Sequence, residues 1–240
     1  MENKFISQLS ELGVAHNAKT EHMFAKYHEL LLFWNEKMNL TAITGRDEVF
    51  EKHYVDSLTI VKAIDMEKSK TLIDIGTGAG FPGIPLKIVF PYLRVILIDS
   101  LEKRISFLNE VINALQLKDT IAVHGRAENL AKEERYREQF DLCVSRAVSN
   151  LSTLSEYCLP FVRKGGKFVS YKGKHAEEEV EKAKFSWDIL GGELERIISF
   201  QLPESKEDRT LVIIDKVNTT PTKYPRKAGI PEKRPLKKEE

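Results

Sequence analysis

The sequence predicts an α/β protein: a seven-stranded, mostly parallel sheet closed by an antiparallel hairpin, with a helical extension ahead of it. Three observations predict it. Five short runs of aliphatic and β-branched residues alternate with helical patterns between residues 70 and 190, and near-continuous apolar strands separated by helices belong in a parallel sheet covered on both faces. Two more strand patterns then follow with no room for a helix between them, so they pair antiparallel. The first strand ends in a glycine-rich turn.

Residues 1–69 read as a helical extension. Within Glu21–Met38, the apolar residues Met23, Phe24, Tyr27, Leu30, Leu31, Trp34 and Met38 recur at spacings of three and four, one buried stripe. Asn39 and Thr41 suit a helix end and a new cap. A second helical pattern, with Val49, Phe50, Tyr54, Leu58 and Val61, follows Gly45. The core, 70–218, opens with the strand runs Thr71–Ile75, Val95–Ile98, Thr120–Val123, Phe140–Val144 and Lys167–Tyr171. The clearest intervening helix is Glu102–Leu117, whose Ile105, Phe107, Leu108, Val111, Ile112 and Leu115 make an apolar face. After a helical stretch at Glu177–Leu190 come the hairpin strands Leu194–Leu202 and Thr210–Val217. Five parallel strands finished by a hairpin is the inventory of the class I, Rossmann-like S-adenosylmethionine-dependent methyltransferases, rather than of a six-stranded parallel nucleotide fold.

A chain of 240 residues is long enough for one full-sized domain with a small appendage. No window approaches the roughly 18–20 consecutive apolar residues of a membrane span, and the polar start MENKFISQLSELG has no secretory signal pattern. Two cysteines, Cys143 and Cys158, are too few for a disulfide framework or a structural zinc site. The expectation is a monomer in the reducing cytoplasm, with no metal. Charge is unevenly placed: 219–240 carries a net +4 and four of the nine prolines, against −3 for the rest. Proline bars a long helix or central strand there, so the segment reads as an extended basic arm.

Asp74-Ile75-Gly76-Thr77-Gly78-Ala79-Gly80 closes the first strand, and Phe81-Pro82-Gly83-Ile84-Pro85 opens a helix. Such a turn lets a ligand approach bare backbone amides at a helix amino terminus. By itself it is ambiguous, because Gly78, Gly80 and Gly83 also satisfy G-x-G-x-x-G and Asp99 lies 21 residues beyond Gly78, as in nicotinamide enzymes. Three features favour S-adenosylmethionine: the acidic Asp74 just before the first glycine, the closing hairpin, and Ala127-Glu128 after the third strand, where methyltransferases bind adenine.

The end of the fourth strand, where the acceptor would sit, reads Ser145-Arg146-Ala147-Val148 instead of the Asn/Asp-Pro-Pro-aromatic segment of amino methylases. Attack on cytosine C5 needs a thiolate, whereas Cys143 lies in an apolar strand and Cys158 in a helix. What remains is an acceptor whose own lone pair attacks, such as guanine N7, or an oxygen nucleophile, with proximity and alignment supplying most of the acceleration.

At this point the chain resembles, nearly end to end, the bacterial small-subunit ribosomal RNA guanine-N7 methyltransferase G family, also called glucose-inhibited division protein B. The resemblance rests on Trp34-Asn35 with Asn39-Leu40-Thr41, His53 with Asp56-Ser57, and Asp74 through Pro85. It continues in Asp99-Ser100, Lys103-Arg104, Ala127-Glu128, Ser145-Arg146-Ala147 and Lys172-Gly173. It ends in Tyr224-Pro225-Arg226 with Gly229, Pro231, Lys233 and Pro235-Leu236. The Trp-Asn block and the proline-basic tail are the specific parts. The resemblance implies methylation of a guanine N7 in the 530 loop of 16S ribosomal RNA, free or in the 30S subunit. It also implies cofactor contacts at Gly76, Phe81, Ala127, Glu128 and Arg146, with Asp99 at the ribose.

Arg146 is the candidate catalytic residue, its guanidinium suited to a carboxylate, a phosphate or the O6 edge of guanine. His53 reads as structural or RNA-contacting, oriented by Glu51 and Asp56, because N7 needs no base. Lys172, Tyr224, Arg226, Lys227, Lys233 and Arg234 are the candidate RNA contacts, with Tyr224 placed to stack on a base. A methyltransferase for a small molecule or protein is the alternative reading, with the helical extension as a lid. A non-catalytic RNA-binding scaffold and a nicotinamide oxidoreductase stand behind it.

Overall fold

In the computed structural model, which describes residues 2–146, 149–174 and 176–238, the strand runs form one sheet in the order β3-β2-β1-β4-β5-β7-β6. The strands are β1 (Thr71–Ile75), β2 (Arg94–Asp99), β3 (Thr120–His124), β4 (Phe140–Arg146), β5 (Val162–Lys172), β6 (Gly192–Gln201) and β7 (Asp208–Lys216). β1 to β5 are parallel and β7 runs antiparallel to both β5 and β6. This is the strand order of the class I methyltransferase fold. The chain leaves β1 in one direction for β2 and β3 and returns on its other side as β4, so the crevice for a ligand opens at the carboxyl ends of β1, β2 and β4.

Side chains alternate across a strand, and β1 therefore serves two cores. Leu72 faces a core shared with Phe24, Tyr27, Leu31 and Tyr54 of the helical extension and with Leu97, Phe107 and Val144. Ile73 and Ile75 face the other, with Cys143, Cys158, Phe168 and Trp187. The extension supplies α1 (Glu2–Glu11) and α2 (Ala18–Met38). Asn17 caps α2 by accepting from the Thr20 amide, and Asn39 ends it in a left-handed conformation. The helical pattern after Gly45 is not one regular helix. It is α3 (Arg46–Val49), a π turn over Phe50–Val55, α4 (Asp56–Leu58) and a 3-10 turn over Thr59–Lys62. The wider π turn rotates His53 towards the strand ends, beyond what a 3.6-residue repeat predicts.

Helices α5 (Gly83–Val89), α6 (Glu102–Ala114), α7 (Ala127–Leu130), α8 (Leu151–Cys158) and α9 (Ala176–Leu190) cover the sheet. Both cysteines are buried and free, as their apolar neighbours predict. Among the described residues, no helix is long and apolar enough to cross a membrane and no group of side chains forms a metal site. Ala147 and Val148, which complete the Ser-Arg-Ala-Val segment, lie outside the described residues.

The carboxyl-terminal segment corrects the expectation of an extended arm. It lies against the sheet's second face and ends in the short helix α10 (Ile230–Lys233), with Tyr224 and Leu236 each only 9% exposed. Arg226 forks onto Glu156 of α8, Nε to Oε1 at 2.9 Å and Nη2 to Oε2 at 2.6 Å, and its amide adds a third bond at 2.8 Å. Arg137 donates to the carbonyls of Thr220 and Tyr224 at 2.7 and 3.0 Å. The anionic partner of Arg226 is thus an acidic residue of the protein itself, which a charge count along the sequence cannot show. Arg226→Ala strands the fully buried Glu156 carboxylate and is expected to lower the unfolding free energy by about 3 kcal/mol in urea melts. An alanine variant as stable as the parent would show that the tail is not anchored there.

Candidate functional site

The glycine turn joins β1 to α5. The amides of Gly76 and Thr77 donate to the Ile98 carbonyl at 2.9 and 3.0 Å, which ties the turn to β2. Gly78 has φ +61°, and a Cβ built there would meet nothing nearer than the Gly76 carbonyl at 4.0 Å, so the bare backbone faces open space. Gly80 is different. A Cβ there would lie 2.6 Å from Ile84 Cγ1 and 2.7 Å from the Tyr27 hydroxyl, which makes it a packing position against α2. The Tyr27 hydroxyl in turn donates to the Ala79 carbonyl, so the helical extension fixes the turn from below.

Beside the turn lies a cleft of about 300 Å³, whose lining includes Gly76, Asp99, Arg104, Ala127, Glu128 and Tyr157. Asp99 accepts from the amides of Gly78 (3.0 Å) and Leu101 (2.9 Å) and from Arg104 Nη1 (3.0 Å). A carboxylate offers about four lone-pair sites, so one remains for a hydroxyl. Asp74 sits beneath the turn rather than in the cleft. Its Oδ2 accepts from Thr77 Oγ1 and the Gly83 amide at 2.6 and 2.8 Å, while Oδ1 is buried without a partner among the described residues. Burial raises this carboxyl to about 7, against the downward pull of those two donors.

On the other side of the turn, at the end of β4, Arg146 is held on three sides. Nη1 donates to the Lys52 carbonyl (3.2 Å) and Asp56 Oδ2 (2.8 Å), and Nη2 lies 3.3 Å from His53 Nδ1. The guanidinium carbon stands 5.1 Å from the centre of the Phe81 ring, on which His53 stacks at 4.6 Å. Asp56 also takes Arg209 Nε at 3.2 Å, so one buried carboxylate sits between two guanidiniums. His53 Nδ1 also lies 3.2 Å from the Lys52 carbonyl, and its Nε2 lies 2.8 Å from Thr41 Oγ1, so both ring nitrogens have polar partners. Burial first, and the Arg146 charge second, lower His53 to about 3, so the ring is neutral at physiological pH.

The structure brings Gly76, Asp99, Ala127 and Glu128 into one cleft, with Gly78 at its turn and Phe81 and Arg146 beyond the turn. It does not bring Asp74 or Gly80 there. Glu51 and Asp56 do not orient His53: Glu51 accepts from the amides of Glu204 and Ser205, and Asp56 holds the arginines. Lys172 is turned inward, its Nζ 2.8 Å from both the Ser149 carbonyl and Glu179 Oε2. Tyr224 is buried, which precludes base stacking, whereas Lys227, Lys233 and Arg234 face solvent from the docked tail. Sequence reasoning missed Thr41 as the His53 partner, and it missed Arg209 and Tyr157 altogether. Arg104 it placed in a motif without a role. Arg209 reaches Asp56 across 153 residues, and no local spacing marks that pair.

A Rossmann-like sheet with a glycine-turn cleft at the carboxyl ends of its central strands, completed by an antiparallel hairpin, defines the class of S-adenosylmethionine-dependent methyltransferases. The chain belongs to the rRNA small subunit methyltransferase G family, whose model matches residues 20–212. It is 51% identical to ribosomal RNA small subunit methyltransferase G of Lachnoclostridium phytofermentans over 232 residues, 97% of this chain and 96% of that one. Against the protein of the same name from Bacillus cereus it is 48% identical over 235 residues, 98% of each. It is accordingly an rRNA methyltransferase, of a family that uses S-adenosylmethionine. Among solved structures, a mutant form of MtNAS aligns with a TM-score of 0.54 at 16% identity, covering 89% of this chain and 82% of that one. The YcgJ protein from Bacillus subtilis gives 0.51 at 12% identity, over 69% of this chain and all of that one. At such identities the likeness is one of fold.

Proposed function

We propose that the protein transfers a methyl group from S-adenosylmethionine to N7 of a guanine in the 530 loop of 16S ribosomal RNA, as a cytoplasmic monomer acting on the RNA or on the 30S subunit. One observation carries this choice of acceptor: the histidine at the strand ends is not available as a base. Both His53 nitrogens are engaged, by Thr41 and Arg146, and the ring is held neutral by burial. A hydroxyl or amine acceptor has to lose a proton on methylation, while the N7 lone pair attacks without losing one. Buried Cys143 and Cys158 also leave no thiolate for attack on a pyrimidine ring.

The donor set of the cleft fits the cofactor. Two buried carboxylates, Asp99 and Glu128, suit the hydroxyls and amine of a nucleoside, and the side-chain-free face of Gly76 and Gly78 admits it closely. When bound, the cofactor supplies a methyl group on a cationic sulfonium. Asp99 orients the ribose through its remaining lone pair. Arg146 has two of its five N–H donors unused among the described residues, and these hold the O6 edge of the guanine. Asp56 and Glu207 offset the charges of Arg146 and Arg209, and a neutral His53 adds none, so the pocket does not repel a cationic donor. Lys227, Lys233 and Arg234 are the tail residues placed to meet phosphates.

Primer extension after N7-specific strand scission tests the reading. Ribosomal RNA from cells with the gene is expected to give a stop at a 530-loop guanine, absent without the gene. Methyl transfer to small acceptors or proteins, with no such stop, would replace this reading by its alternative.

A further inference from the structure

We propose that the docked carboxyl-terminal segment braces the wall of the cofactor site from behind and that Gly229 is a positioning residue for Glu128; this rests on the reading that the cleft holds S-adenosylmethionine. Glu128 is 4% exposed and sits on α7, a single four-residue turn that cannot by itself fix a side chain. Its Oε1 accepts the Gly229 amide at 2.9 Å, across 101 residues of sequence. The second oxygen has no partner among the described residues and is left for the ligand. Among those residues no lysine or arginine holds this buried carboxylate, so the one amide sets its direction.

Gly229 makes that contact by its backbone conformation. It adopts φ +79°, while a Cβ there would meet nothing within 4 Å. Space is therefore not the reason for glycine at this position; a left-handed residue is what turns the amide towards Glu128. The flanking residues pin the segment to α8. Ser152 Oγ donates to the Leu236 carbonyl at 2.6 Å, Thr153 Oγ1 to that of Pro231 at 3.1 Å, and Arg226 forks onto Glu156. Tyr157, which follows Glu156, lines the same cleft as Glu128. A single segment thus braces two parts of the cleft wall at once.

The test uses the full chain with Gly229→Ala and Gly229→Asn. Each protein is titrated with S-adenosylmethionine by calorimetry and assayed at varied cofactor and varied RNA. Alanine resists positive φ, so Gly229→Ala is expected to raise both Kd and KM for the cofactor about tenfold, the size of one hydrogen bond to a charged group. Turnover at saturating cofactor and KM for RNA are expected to stay within about twofold, which a general loss of folded protein would not allow. Asparagine tolerates the left-handed conformation, and Gly229→Asn is expected to recover most of the affinity. Parental affinity in Gly229→Ala overturns the proposal, and so does an equal loss in both variants together with a lower melting temperature. If the parent protein itself does not bind S-adenosylmethionine, the reading of the cleft falls first.

Discussion

Arg146→Ala is expected to lower methylation of ribosomal RNA at least about a hundredfold, the usual scale for a lost transition-state donor, while RNA affinity falls only a few fold. The structure explains why one side chain has such reach. Arg146 joins β4 to the π turn through Lys52 and Asp56, touches His53, and covers Phe81 beside the glycine turn. Alanine removes the donors proposed for the acceptor and leaves Asp56 with Arg209 alone. His53 loses the second-largest cause of its lowered pKa, so its ring is expected to titrate closer to 6.5. Arg146→Lys should rescue only in part, since a point charge cannot reach Asp56, the Lys52 carbonyl and His53 at once. Near-normal turnover in the alanine variant would remove Arg146 from the reaction.

Gly78→Val is expected to abolish measurable cofactor binding in a protein that still folds. The valine meets no packed neighbour, because the space beyond the Gly78 Cα is open. It fills that space and resists φ +61°, at about 1–2 kcal/mol of backbone strain. Any relief of that strain pulls the Gly78 amide off Asp99 and loosens the residue assigned to the ribose. Gly80→Ala provides the contrast. Its Cβ collides with Ile84 and Tyr27 inside the core, so its first effect falls on stability. Calorimetry with S-adenosylmethionine separates the two, and full affinity in Gly78→Val would mean that the turn does not face the ligand.

The strands were legible in the sequence because burial on both sheet faces leaves an unbroken apolar run, and β1 begins and ends where Thr71–Ile75 does. The glycine turn was legible because Gly76, Gly78 and Gly80 all take positive φ within five residues, which few residues other than glycine allow. Partnerships across long separations were not. Asp56 meets Arg146 ninety positions away, Glu156 meets Arg226 seventy away, and nothing local in the sequence pairs them. The tail misled for a physical reason: prolines and lysines look solvated when counted, yet Tyr224, Pro231 and Leu236 among them are buried anchors. His53 misled in a similar way, because its neighbours in sequence, Glu51 and Asp56, point elsewhere across a turn that is not α-helical.

A strand that serves two cores has no outside. Leu72, Ile73, Asp74 and Ile75 are each at most 2% exposed, so none of these four β1 positions could carry a dye, a crosslinker or a surface charge without unpacking one face of the sheet. The room for such changes lies at the sheet edges, where Ile121 on β3 is 52% exposed and β6 presents exposed residues along much of its length. Immobilisation of the protein, or a fluorescent label for following its encounter with RNA, therefore belongs on those two strands, which stand at opposite ends of the sheet and away from the turn that closes β1.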